Sequence, residues 1–381
     1  GDDITTYTYS SELDIKNLDS SDADDGCSLK AIHAVIDGLT KTDKKGNIVN
    51  AVAKSEELSE DGLTHTYKLR KDVKWTNGDP VTAHDFVYAW QRIFRKKGSY
   101  YYMFADGIAS IEGAQELSDK IDAGEELTDD DLNSMGVKAI DDYTLEVKTT
   151  VRVSFFDELM AFPCFFPINE KFCEKQGDKY GKSAKAILGN GAFIMTNWEP
   201  GSIAEFKKNE DYYEAKTVKI EKLVMKLVQD PKVAAQSFMA GETDYAPINS
   251  DLVDKYKDDE AFKQVYDGFL FYISVNFQNS DLANLNVRKA ISLAINRKDL
   301  CENVLKDGSQ VAGGFIPSGL ATSPDGVDFR KDSGNFTSYD KKKAQESLDE
   351  GLKELGKDQI TLRITYGTDE SPMDVFATYL Q

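Results

Sequence analysis

Residues 64–97 read THTYKLRKDVKWTNGDPVTAHDFVYAWQRIFRKK, and the way this stretch divides decides the fold. Its opening alternates as a strand does, with Tyr67 and Leu69 on one face and Thr66, Lys68 and Arg70 between and beyond them. After Val73-Lys74-Trp75 comes Thr76-Asn77-Gly78-Asp79-Pro80, where Asn-Gly tolerates positive φ and Pro blocks continuation, so a turn is predicted. Thr82 then opens a helix, and Asp85 falls in its first turn, where the helix dipole favours an acid. Phe86, Ala89, Trp90, Ile93 and Phe94 recur at helical spacing and make one broad apolar face. The unit reads as structural: it carries no pattern of chemistry.

Around this unit, the composition narrows the function classes. A chain of 381 residues is too long for one ordinary core and predicts about two or three domains. A formal charge of −20 argues against nucleic acid, which needs clustered Lys and Arg, and against docking on an anionic membrane. An acidic surface of this kind serves solubility more often than recognition. No apolar run of about 18 residues is present, so no spanning helix is predicted. The start lacks an apolar leader core, and Gly1-Asp2-Asp3 reads as a mature or trimmed beginning. Cys27, Cys164, Cys173 and Cys301 are too scattered for a disulfide framework; Cys164 and Cys173 permit a bridge without requiring one. His33, His65 and His84 are neither paired one helical turn apart nor near a cysteine, which argues against zinc.

Taken in order, residues 4–9 are β-prone and lead into an acidic loop, Leu18-Asp19-Ser20-Ser21-Asp22-Ala23-Asp24-Asp25-Gly26. That loop cannot be registered on an EF-hand and reads as a solvated turn. A helix is predicted over 29–35, a turn at 43–46, a β-prone piece at 50–54 and a turn at 59–62. Residues 99–104 form an aromatic cluster that suits either a core or a ligand groove. Helices are predicted over 108–117 and 129–135, then two strands within 137–147 joined at Asp141-Asp142, then a nearly continuous apolar run over 155–166. Gly189-Asn190-Gly191-Ala192-Phe193 is glycine-rich but lacks the spacing of a phosphate loop. Strands follow over 193–198, 202–207 and 219–227, and a helix over 231–240 closes at Gly241. Beyond it, strands are predicted over 269–277 and 360–366, and helices over 286–297, continuing in 299–305, and over 341–355. The chain stops inside what reads as a further helix, so a fragment or truncation is expected.

Several segments together resemble the oligopeptide/dipeptide family (family 5) of extracytoplasmic solute-binding proteins that serve ABC importers. The resemblance rests on Tyr67-Lys68-Leu69-Arg70-Lys71-Asp72-Val73-Lys74-Trp75, on Asn77-Gly78-Asp79-Pro80-Val81-Thr82-Ala83, and on Asp85-Phe86-Val87-Tyr88 with Trp90. It extends in order through Leu18-Asp19, Asp37-Gly38-Leu39, Val137-Lys138-Ala139-Ile140-Asp141-Asp142, the glycine-rich stretch at 189–193, Gly241-Glu242-Thr243-Asp244, and Asn286-Val287-Arg288-Lys289-Ala290 with Ala294-Ile295-Asn296-Arg297. It covers essentially the whole chain. The resemblance implies an α/β, periplasmic-binding-protein-like fold (type II, cluster C), two-lobed, with an inserted extra domain and an incomplete C-terminal lobe. Residues 1–38 and 152–268 would form domain I, 39–151 domain II, and 269–381 a partial domain III. The implied function is capture of an extended peptide between two lobes that close like a hinge, and its delivery to a membrane permease. Main-chain pairing would supply affinity and roomy, hydrated pockets what selectivity exists.

Carried over position by position, the ligand-pairing strand falls on Asp24, Asp25, Gly26 and Cys27, after a Leu18-Asp19 whose family Pro is replaced by Ser20. An acidic segment there favours basic or amine-bearing ligands. The aromatic lip falls on Tyr102 with Met103 beside it, and a domain I loop on Ala246, Pro247, Ile248 and Asn249. Pro247 donates no backbone hydrogen bond, so pairing must differ there. Gly367 and Thr368 fall on a cleft-facing domain III loop. The Gly-Trp…Asp-Tyr segment that holds a peptide's N-terminal ammonium in relatives lies past Gln381, so weak or absent peptide affinity is expected for these residues alone. No cofactor, metal or catalytic residue is implied; the partners are the peptide and the permease. The protein would be an extracytoplasmic monomer, in the periplasm or held at the cell surface by a lipidated cysteine. The same fold holds oligosaccharides, nickel complexes or haem in the wider family; so few histidines disfavour metal chelates, while many Tyr and Trp leave sugars open. A hydrolase remains a remote alternative, since no nucleophile-elbow, zinc-protease or phosphate-loop motif is present.

Overall fold

The computed structural model describes residues 5–367 and 373–381. The chain divides into two compact units, Gly1–Pro247 and Ile248–Gln381. The first begins with β1 (Thr6–Ser11) and α1 (Gly26–Val35), then a hairpin of β2 (Thr40–Thr42) and β3 (Ile48–Asn50). It continues through β4 (Ala53–Leu58), β5 (Thr64–Leu69), α2 (Ala83–Arg95), α3 (Ala114–Asp122), α4 (Asp129–Asn133), β6 (Val137–Asp141) and β7 (Thr144–Lys148). Then come α5 (Phe156–Met160), α6 (Glu170–Gln176), β8 (Phe193–Glu199), β9 (Ile203–Lys208), β10 (Lys222–Leu227) and α7 (Pro231–Met239). Two four-stranded sheets result. One runs β1-β10-β9-β8, with β1 parallel to β10 and the rest antiparallel; the other runs β4-β5-β7-β6, antiparallel throughout.

The opening stretch folds as its pattern predicts. Along β5, His65, Tyr67 and Leu69 are buried while their neighbours are not. Gly78 turns the chain at φ 92°, and the Trp75 N–H donates to the Asp79 carbonyl at 2.8 Å. Asp85 then ties turn to helix: its Oδ2 accepts from the Thr82 N–H at 2.8 Å and from the Trp75 indole at 3.1 Å. Phe86, Ala89, Trp90, Ile93 and Phe94 are all buried, and the Trp90 indole finds the Phe165 carbonyl at 2.9 Å. This satisfies the one polar atom that the ring carries inside.

Two apolar clusters divide the unit. One gathers α2, the second sheet and residues up to Leu188; the other packs α1 and Phe166 against Met195, Phe206 and Met225 of the first sheet. The glycine-rich stretch serves the second cluster. A β-carbon on Gly189 would lie 2.0 Å from the Val35 carbonyl oxygen, and one on Gly191 2.7 Å from the Val35 carbonyl carbon. Those glycines let the backbone pass the end of α1, where Asn190 Oδ1 accepts the Asp37 N–H at 2.8 Å.

In the second unit, α8 (Ser250–Tyr256), α9 (Ser280–Ala283), α10 (Leu285–Ala294), α11 (Arg297–Asp299), α12 (Phe329–Ser333), α13 (Lys341–Leu355) and α14 (Met373–Leu380) follow one another. A π-helical turn over Leu300–Leu305 extends α11. α10 and α13 meet where Gly351 passes Val287, and Gly356 ends α13 at φ 66°.

Three elements differ from the pattern. Residues 108–113 are not helical; Ile111 bridges to Thr149 and Gly113, at φ 78°, delays the helix to Ala114. Residues 269–277 and 360–366 alternate in sequence but form no strand, because none of the described residues pairs with them as a ladder. Phe269 is 79% exposed. All four cysteines are free thiols, so Cys164 and Cys173 are not bridged. Among the described residues, no helix is long and apolar enough to cross a membrane.

Candidate ligand-binding site

The acidic loop before α1 is not a free solvated turn. Asp19 is 1% exposed, and its carboxylate takes the Arg92 guanidinium through both oxygens, at 2.7 and 2.8 Å. Lys96 reaches the same group at 3.2 Å and Asp22 at 2.9 Å. Burial works against the Arg92 charge, but the Asp19 carboxylate outweighs it and holds the guanidinium above its usual pKa. Tyr180 lies under the guanidinium, 5.2 Å from its carbon. At the end of α2, a β-carbon on Gly98 would fall 1.8 Å from the Ser21 carbonyl oxygen. The helix of the opening stretch therefore fixes this loop through its last turn, a role its spacing did not reveal.

The residues expected to form a ligand-pairing strand do something else. Asp25 is the N-cap of α1: its Oδ1 accepts the Ser28 N–H at 2.9 Å and its Oδ2 the Ser28 hydroxyl at 2.6 Å. Gly26 and Cys27 are the first helical residues, so Asp24, Asp25, Gly26 and Cys27 are not an extended strand. The physical reason is local: an Asp with a Ser three residues on satisfies the helix's orphan N–H groups. The Cys27 thiol donates to the Leu13 carbonyl at 3.1 Å and touches Met225 Sδ at 3.8 Å; burial is the main influence pushing its pKa up. Asp24 alone keeps an exposed carboxylate, with no ion pair among the described residues.

Beside Asp24 lies the aromatic lip. Residues Tyr101–Phe104 form a 3-10 turn in which Phe104 is buried, Met103 half-buried and Tyr102 50% exposed. Tyr100 joins the two segments: its hydroxyl donates to the Asp24 carbonyl at 3.4 Å, and the Ser99 hydroxyl meets Asp24 Oδ2 at 3.4 Å. The Tyr100 ring sits edge-on to Phe162, 5.1 Å away, and 6.1 Å from Tyr102. Burial raises the Tyr100 pKa, helped by Tyr102 and by the Asp24 charge, so the phenol stays a donor at neutral pH. Met103 contacts Cys164, 3.9 Å between sulfurs. Tyr100 is the member of this set that the family carry-over missed, although the aromatic run displayed it.

The third segment runs along the free edge of β1. The Ser10 N–H donates to the Tyr245 carbonyl at 3.0 Å, Tyr9 and Tyr245 bridge in parallel, and Asp244 Oδ2 accepts the Thr8 N–H at 2.8 Å. Ala246 and Pro247 follow at the end of the first unit, both half-buried. Ile248 and Asn249 begin the second unit, where Asn249 precedes α8 with its Oδ1 buried and unpartnered. Gly367 lies exposed in that unit, and Thr368 lies outside the described residues. Within the first unit the fold thus brings Asp24 to Tyr100, whose ring adjoins Tyr102, and sets Tyr245 alongside Tyr9 of β1, with Cys27 near Ser11 at that strand's end.

Chemically, these parts offer an open carboxylate, flat aromatic faces and backbone groups near a strand edge. They present no nucleophile beside a base, and no metal-binding cluster occurs among the described residues. The arrangement suits reversible, non-covalent capture.

Comparison with known proteins agrees in kind. The profile of the bacterial extracellular solute-binding proteins, family 5 Middle, matches residues 47–381. The chain is 32% identical to the dipeptide-binding protein of Lactococcus lactis over 98% of its own length and 68% of that protein's. It is 31% identical to the dipeptide-binding protein DppE of Bacillus subtilis over 90% of its length, and spans 61% of that relative. Among solved structures, Listeria monocytogenes OppA bound to peptide superposes with a TM-score of 0.83 at 32% identity, covering 99% of this chain and 74% of that one.

Proposed function

The chain belongs to the bacterial extracellular solute-binding proteins of family 5, and from that membership we propose that it is the substrate-binding component of an ABC importer. It captures extended oligopeptides between two lobes and hands them to a membrane permease, without catalysing a reaction. The observation that carries the reading is the likeness, over 99% of this chain, to a relative solved with peptide bound. In this reading domain I (1–38 and 152–268), domain II (39–151) and domain III (from 269) form the lobes, with one apolar core running across the 151/152 boundary from Leu39 to Leu188 and joining the first two. On the same reading the ligand contacts are Asp24, Asp25, Gly26 and Cys27, then Tyr102 and Met103, then Ala246, Pro247, Ile248 and Asn249, and finally Gly367 and Thr368. Gly26, Cys27 and Asp25 act there as a helix start that shapes the site, while Asp24 and Tyr102 face the ligand. Closure follows from a ligand's higher affinity for the closed state. The protein works outside the cytoplasm as a monomer, tethered by a lipid anchor where no outer membrane confines it.

The test is a thermal melt of the full-length gene product with and without a mixture of short peptides. Ligand at about 100 times its Kd stabilises the folded state by about 2.7 kcal/mol, an easily read rise in melting temperature. No shift with any peptide from two to six residues, beside a shift with an oligosaccharide, overturns the peptide reading.

A further inference from the structure

A polar cluster that ligand capture does not use is buried where the chain leaves the second sheet. Four side chains from three elements meet there: Glu56 on β4, His65 and Tyr67 on β5, and Asp157 on α5. His65 is 3% exposed and Tyr67 fully buried. His65 Nδ1 lies 2.6 Å from Glu56 Oε1, and the Tyr67 hydroxyl donates to Asp157 Oδ1 at 2.8 Å. Glu56 pairs directly with Tyr67 across the β4–β5 ladder, so the two carboxyl groups converge on the His65–Tyr67 face of β5. The His65 ring stacks on Phe156 at 4.1 Å, and its Nε2 is buried without a partner. A buried N–H without an acceptor costs more than a buried lone pair, so the imidazole proton belongs on Nδ1, donating to Glu56.

Apart from the His65 ring, the surroundings offer no cationic side chain to balance two negative charges. Among the described residues, neither Glu56 nor Asp157 has a Lys or Arg partner. On β2, Thr40 donates its hydroxyl to the Asp157 carbonyl at 2.6 Å, while Lys41 is turned to Glu214 and the Tyr212 hydroxyl. Arg152, just before α5, is spent on the carbonyls of Glu60 and Asp61. The 3-10 turn at Pro163–Phe165 brings only Cys164, a buried thiol held protonated. Two neighbouring carboxylates with no Lys or Arg counter-ion cannot both ionise cheaply.

We propose that Glu56 and Asp157 form a proton-sharing pair that acts as a pH-sensitive latch. The shared proton seats α5 against β4 and β5, and its loss toward neutral and alkaline pH loosens α5 and the connection leading into it. The direction agrees with the electrostatics. Burial pushes the Asp157 carboxyl up to about 6, against the pull of the Tyr67 hydrogen bond and with the push of Glu56, whereas the His65 hydrogen bond holds Glu56 below the usual range. A carboxyl whose folded pKa is raised contributes stability at low pH and loses it as pH rises through the folded value. The proposal is independent of what the protein binds.

Hydrogen exchange of the α5 amides in the full-length protein, corrected for intrinsic exchange, tests it between pH 5 and 8. The shift corresponds to about two decades at most, which partial exposure cuts to roughly a tenfold loss of protection on raising the pH. Asp157→Asn and Glu56→Gln, which mimic a protonated partner, are each expected to flatten that dependence. Carbon-13 titration of the wild-type carboxyl groups is expected to show one of the pair titrating near pH 6. Wild-type protection that does not change with pH, or variants that follow the wild-type slope, overturns the proposal. Should Asp157→Asn fail to fold, Glu56→Gln and the wild-type titration decide, and both carboxyls titrating below pH 5 overturns it.

Discussion

Replacing Asp19 by Asn keeps the shape of the side chain and removes the charge that faces Arg92. The Arg92 side chain is 11% exposed and that of Asp19 2%, so the guanidinium would stay buried without its counter-ion. Breaking a buried pair from one side costs about 3–5 kcal/mol, because the remaining charge is uncompensated. Lys96 is 35% exposed and adds only the small value of a surface pair. In a unit the size of this one, about 3 kcal/mol lowers the melting temperature by about 6–12 °C. The assay is a double-mutant cycle of thermal and urea melts over wild type, Asp19→Asn, Arg92→Met and the double variant. The double variant is expected to lose less than the two single losses together, with a coupling of about 2 kcal/mol. A coupling below about 0.5 kcal/mol would refute the view that this pair holds the loop. Because the same loop carries Asp24 to Tyr100, peptide affinity of the full-length protein is expected to fall with the pair.

Other expectations follow from single positions. Gly98→Ala puts a β-carbon 1.8 Å from the Ser21 carbonyl oxygen and is expected to cost about 3 kcal/mol in a urea melt. Gly26→Ala, in open space at the start of α1, is the control and is expected to be neutral or to stabilise by about 0.5 kcal/mol. Burial pushes the Asp85 carboxyl up to about 6, so its contribution is present at low pH and lost as pH rises through that value. The stability gained on acidifying from pH 7 to 5 is therefore expected to shrink by about 1 kcal/mol in Asp85→Asn, measured by denaturant melts at each pH. Alkylation in denaturant without reductant, read by mass spectrometry, is expected to label all of Cys27, Cys164, Cys173 and Cys301, with Cys164 and Cys173 protected in the native protein.

Legibility followed the range of the interaction. The β5–turn–α2 unit was readable because Asn77-Gly78, Thr82 and Asp85 act within a few residues of themselves, and the Phe86 to Phe94 face has one solution, burial. The start of α1 was readable too, in Asp25 with Ser28 three residues on, but the family's extended segment was laid over it. Strands at 269–277 and 360–366 failed for the opposite reason: alternation marks a face, whereas a strand exists only when another backbone completes its hydrogen bonds.

By itself, then, the sequence determined the family and most local elements of the first unit, through turn chemistry, capping and motif order, but not the late start of α3 at Ala114. Only the tertiary structure decided that Asp19 meets Arg92, that Gly98 exists to let Ser21 pass, and that Tyr100 closes on Asp24. It also decided that Glu56, His65, Tyr67 and Asp157 share one buried site. These partners lie up to about a hundred residues apart, and a charge or a phenol carries no mark in sequence of the group that will face it once water is removed.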